Sequence, residues 1–229
     1  MHILIIILLV LLLIFGPQVW ARYTLRRYAK DLERIPGNGA QLARHLLDRF
    51  GLSDVKVEET DRGRDHYDPQ ERAVRLGADN FTGRSLTAVA VAAHEVGHAL
   101  QHQRKEPLLA LRHRLVGLAQ TAQQVGAGAM MLMPVATLLT RSPASGLALA
   151  AIGLASMASA TLVHLVTLPV ELDASFGKAL PIIKSGGYVE RADETAVRRV
   201  LRAAAFTYVA GSLASLLNLW RWIALLRRA

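Results

Sequence analysis

The sequence predicts an α+β fold, mostly α, in which a small domain built on one His-Glu-x-x-His helix is integrated with about four transmembrane helices. Three observations carry that expectation. Apolar residues make up 52% of the 229 and gather in long blocks instead of scattering through amphipathic elements. A polar stretch between the first two blocks mixes helical with alternating periodicity. Within that stretch, His94-Glu95-Val96-Gly97-His98 sets two imidazoles one helical turn apart, with a carboxylate beside the first.

The first block, Ile3 to Phe15 continued by Gly16 to Trp20, is about long enough to cross a hydrocarbon core. No positive charge precedes it and no small-x-small site closes it, while Trp20 and Tyr23 sit where interfacial aromatics belong, so residues 1–20 read as a retained anchor. Residues 21–115 form the polar region. There Asn38 caps a helix over Gly39 to Phe50, and Val55 to Thr60 alternates as a half-buried strand. Asp68-Pro69-Gln70-Glu71 is a turn between His66-Tyr67 and Ala73 to Leu76, and a long helix runs from about Arg84 to Gln103 with Thr82 or Asp79 as its cap. Two blocks, Gly117 to Thr140 and Gly146 to Leu168, make residues 116–168 a membrane hairpin. Small residues such as Gly153, Ser156 and Ala160 let its helices approach closely. Residues 169–202 return to polar sequence. A last block, Ala203 to Trp220, opens a C-terminal span and basic tail over 203–229.

Charge and composition exclude several functions. With no cysteine there is no thiolate nucleophile and no thiolate zinc ligand, so any metal falls to His, Asp or Glu. The 27 Lys and Arg against 18 Asp and Glu flank apolar blocks and do not alternate with aromatics, so they read as topology signals and not as a nucleic-acid surface. The lipid bilayer is the expected partner.

The motif carries the chemistry. Two histidines four apart on a helix can meet one metal ion, and Glu95, about 100° round the turn, can take a proton from an activated water without being a ligand. The apolar run Leu86 to Ala93 buries this helix, where uncompensated His and Glu would be costly. Catalytic zinc needs a third protein ligand. His102 lies about 12 Å along the axis from His94, too far for one ion. An arrangement with a third His six residues after the second fails as well, since Gln101 and Arg104 hold its Gly and His positions. His66, His113 and His164 have no supporting spacing. The acidic segment Val170 to Ser175 remains: a hairpin of the two middle blocks returns it towards the motif helix, and Glu171 and Asp173 point to different sides of a helix, so at most one is a ligand.

These residues resemble the YugP-like family of membrane zinc metallopeptidases and, more distantly, the HtpX-like integral-membrane gluzincins. The resemblance rests on Asp65 to Pro69, Val74 to Leu76, Val91 to His102 and Leu168 to Ser175, and extends from the first anchor to the last span. It implies a zincin-like catalytic region holding one Zn2+ per chain on His94, His98 and Glu171, with Glu95 as general base in hydrolysis of membrane or membrane-proximal polypeptides. Gluzincins carry an acid four residues after the ligand Glu to orient the first His. Here that residue is Ser175, which leaves Asp173 as another candidate for the role.

Arg22 to Arg34, Arg104 to Arg114 and Lys178 to Arg202 against Arg141 alone in the hairpin loop place the site on the cytoplasmic side of a prokaryotic plasma membrane. Arg221, Arg227 and Arg228 fall on the wrong side if all four blocks cross. The alternative to a peptidase is a non-catalytic membrane scaffold or adaptor with a structural zinc, which needs a fourth ligand from Asp173 or His102. Tyr67, Tyr188 and Tyr208 are hydroxyl candidates for stabilising an oxyanion. Substrate and oligomeric state are not specified by the sequence.

Overall fold

A computed structural model describes residues 2–206, without the side chains of residues 2–11, 13–14, 143, 157, 160–162 and 164–165. Over the described residues the chain divides into two compact units, 17–110 with 169–206, and 2–16 with 111–168.

The first of these units holds the polar elements. Helix α1 (His2–Arg27) enters it at Pro17. Helix α2 (Gly39–Arg49) starts at a complete capping box: Asn38 Oδ1 accepts from the Gln41 backbone at 2.9 Å, and Gln41 Oε1 accepts from the Asn38 backbone at 3.0 Å. Ala43, Leu46 and Leu47 form its buried face, at the spacing that the sequence shows. Strands β1 (Lys56–Thr60), β2 (His66–Asp68) and β3 (Ala73–Gly77) form a sheet in the order β1-β3-β2. The expected hairpin is present, with Tyr67 opposite Val74. Its turn is fixed by Asp68 Oδ1, which accepts from the Gln70 and Glu71 backbones. Strand β1 pairs with β3 in parallel, so the most apolar strand lies in the middle, with Ala73, Val74, Leu76 and Gly77 buried.

After the short helix α3 (Ala78–Thr82) comes the motif helix α4 (Leu86–Gln103). Its cap is Ser85, whose hydroxyl accepts from the Ala88 backbone at 3.1 Å, and not Thr82 or Asp79. The physical reason is that Gly83 is extended at φ −70° and ψ 145°, which ends α3 and separates those residues from α4. Fifteen of the eighteen residues of α4 are buried. It runs through a core that includes Leu46, Leu47, Val74, Leu76, Val96 and Ile183.

The chain returns to this unit at Pro169 in the last turns of α6 (Pro143–Leu172), continues as a π-helical segment (Asp173–Ala179), and then forms α7 (Leu180–Gly186), closed by Gly187 at φ 63°. The π-helical segment lies against α4 backbone to backbone. A Cβ on Gly97 would stand 2.9 Å from the Ala174 carbonyl oxygen, closer than a carbon atom is tolerated. Gly97 is thus the residue in the motif that admits the returning chain.

In the other unit, α5 (Pro107–Thr140) and α6 run as a hairpin joined at Arg141, φ 51°, and Ser142. A Cβ on Gly126 would overlap the Ser156 hydroxyl, and one on Gly153 the Met130 side chain, so small residues permit this approach as expected. The span count is corrected. Among the described residues one helix, α5, is long and apolar enough to cross a membrane, not four. Helix α6 runs for 30 residues, and the side chains of several of them lie outside the described residues. Most side chains of the first block lie outside the described residues, as does the last block from 207 onward.

Candidate metal centre

Helix α4 brings His94 and His98 onto one face, their rings edge to face with centroids 4.7 Å apart. The last turn of α6 delivers Glu171 to that face. Its Oε2 lies 3.2 Å from His94 Nε2 and 3.4 Å from His98 Nε2, and one ligand atom from each of the three residues falls within 4.8 Å of the others. Two ligands bound tetrahedrally to one zinc at about 2.0 to 2.2 Å are themselves about 3.3 to 3.6 Å apart, close to the two distances from Glu171 Oε2. The donor chemistry fits too: two imidazole nitrogens and one carboxylate oxygen, all from residues exposed by 7% or less.

Around these three, other groups fix orientation. Ser175 Oγ lies 3.0 Å from His94 Nδ1, so the residue four after Glu171 does contact the first histidine although it is no acid. Asp173 does not take that place. It binds Gln101 Nε2 at 2.7 Å, and Gln101 Oε1 stands 2.8 Å from His98 Nδ1. Gln101 is a contact that the sequence reading missed; its only sequence signal is the i+3 spacing from His98. Asp173 is also ion-paired to Lys178, and Lys178 reaches Glu106 at 2.9 Å.

Glu95 is buried at 6% exposure. Burial pushes its carboxyl above the usual carboxylate range; the His94 and His98 imidazoles pull it back, and Glu171 adds to the rise. His102 is apart from the group and bonds the Tyr67 hydroxyl through Nδ1 at 2.8 Å. Asp173 and His102, the two residues that would close a structural site, thus have other partners. His66 Nδ1 lies against the Arg64 carbonyl at 2.7 Å. Tyr188 accepts from Arg49 and bonds His45, so neither it nor Tyr67 is placed by its contacts as an oxyanion donor. Tyr208 and the side chain of His164 lie outside the described residues.

A helix with two histidines four apart, a glutamate beside the first and a second glutamate arriving from a distant helix is the arrangement of a zinc-peptidase-type metal centre. The chain belongs to the family described as "Putative neutral zinc metallopeptidase", whose sequence pattern matches residues 3–227. It is similar to a Bacillus subtilis (strain 168) protein named "Putative membrane protease YugP", with 39% identity over 218 residues, 91% of either chain. No solved structure matches it significantly.

Proposed function

We propose that the chain is a membrane-embedded zinc-dependent endopeptidase that hydrolyses membrane or membrane-proximal polypeptides. The observation that carries this reading is the convergence of His94 Nε2, His98 Nε2 and Glu171 Oε2 in a buried group, with Glu95 next to it on the same helix. His94, His98 and Glu171 would hold one zinc. When bound, zinc supplies Lewis acidity towards the scissile carbonyl and the attacking water. Glu95 accepts the proton of that water and passes it to the leaving amine, which its burial beside the imidazoles suits. Membrane residence is supported by the length and composition of α5 and by the name of the Bacillus relative. The excess of arginine on the polar stretches supports a cytoplasmic site.

The test compares purified wild type and Glu95→Gln in detergent on a fluorescently labelled unfolded polypeptide. Cleavage by wild type only, with equal zinc in both, is expected. Equal cleavage by both would remove Glu95 from the chemistry, and zinc without cleavage in wild type would favour a scaffold.

A further inference from the structure

Gln101 is 1% exposed, one turn beyond His98, and takes no part in the chemistry described above. Its amide has a defined orientation. The nitrogen lies 2.7 Å from Asp173 Oδ2 and 3.0 Å from the Val170 carbonyl oxygen. A carbonyl and an ion-paired carboxylate only accept, so this end of the amide must be the NH2 group, donating to both. The other end is then an oxygen, and it faces His98 Nδ1 at 2.8 Å. An amide oxygen can only accept, so Nδ1 carries the hydrogen. Neutral imidazole has one N–H, which leaves His98 Nε2 with its lone pair directed at the group that contains Glu171 Oε2, 3.4 Å away.

We propose that Gln101 is the positioning residue of the centre: clamped by Val170 and Asp173, it locks His98 in the Nδ1–H tautomer and so presents Nε2 to the cation. The proposal rests on the zinc reading of the site. The clamp has its own anchor. Lys178, 7% exposed in the π-helical segment, pairs with Asp173 and with Glu106, so Asp173 is held in place by a buried cation. The residue type at 101 follows. Leucine would leave the Nδ1–H of His98 with no acceptor. Glutamate alone would set a second carboxylate against Asp173 and supply no donor to Val170. An amide at this reach donates on one side and accepts on the other. The same π-helical turn that carries Asp173 and Lys178 also carries Ser175 to His94, so one short segment orients both imidazoles.

The experiment has two readouts that need no activity. Zinc affinity is measured by chelator competition for the full chain in detergent, as wild type, Gln101→Leu, and the double variant Gln101→Glu with Asp173→Asn, which exchanges donor and acceptor across the same contact. We expect Gln101→Leu to bind zinc about 10- to 100-fold more weakly, and the double variant to return towards wild type. Long-range 1H–15N spectra of zinc-loaded wild type read the tautomer directly and do not depend on any variant folding; His98 should show a protonated Nδ1 and a metal-bound Nε2. Binding through Nδ1, or Gln101→Leu at wild-type affinity, overturns the proposal. Wild type that binds no zinc at all overturns instead the reading on which it rests.

Discussion

Ser175 Oγ stands 3.0 Å from His94 Nδ1, and Ser175 lies one turn beyond Glu171, so a hydroxyl holds the first histidine where gluzincins use a carboxylate. A hydroxyl contributes no charge to the imidazole, and its loss removes a hydrogen bond between two buried groups. Ser175→Ala should lower zinc affinity about 10-fold, at the weak end of what partners of metal-bound histidines contribute. Ser175→Asp should retain affinity, since it restores an acceptor at that place. Chelator competition measures both.

Gly97 should accept no side chain. Its Cβ would press on the Ala174 carbonyl, which is backbone of the π-helical segment that carries Asp173 and Ser175 and follows directly on the turn of Glu171. Gly97→Ala should destabilise the unit by about 1 to 3 kcal/mol, as overpacking of a close contact does. It should also weaken zinc binding by shifting that segment. Thermal unfolding with and without zinc separates the two effects.

Acid should loosen the hairpin of β2 and β3. Asp68 is partly desolvated, which alone would raise its pKa, but the Glu71 and Gln70 backbone N–H groups and the Arg75 guanidinium outweigh this and hold it below the usual carboxylate range. A carboxyl depressed in the folded state stabilises above its unfolded pKa of about 3.9 and loses that contribution as pH falls through the folded value. Wild type should therefore unfold at higher temperature than Asp68→Asn at neutral pH, and the gap should close only below about pH 4. A gap independent of pH would assign the effect to packing.

The capping box of α2 is testable alone. Asn38→Ala removes the acceptor of the Gln41 backbone N–H and should cost about 1 kcal/mol without altering zinc content. Leu46→Ala, at a fully buried position in the same helix, should cost about 2 to 5 kcal/mol.

What the sequence made legible is what depends on near neighbours. Asn38 as the cap of α2, the Asp68 turn, and His94 with His98 all act over about four residues, and each forms as the sequence indicates. Glu171 was legible only through topology and resemblance, because the reach from α6 to α4 spans 77 residues. The parallel pairing of β1 with β3 was not read, since alternation in a strand says which face is buried and not which neighbour it takes. The sequence does not single out Ser85 as cap, because Asp79 and Thr82 are also good cap residues and only the extended Gly83 decides between them. In the sequence Gln101 serves only to exclude a different motif. Its partners Val170 and Asp173 are 69 and 72 residues away, and no local pattern announces them.

Whether His94, His98 and Glu171 together hold one metal is decided by elemental analysis of purified wild type beside Glu171→Ala and His98→Ala, with folding checked by circular dichroism. The prediction is one zinc per chain in wild type and its loss from both folded variants. Zinc retained in full without Glu171 would contradict the ligand set, and wild type free of zinc after purification with metal supplied would contradict the centre itself.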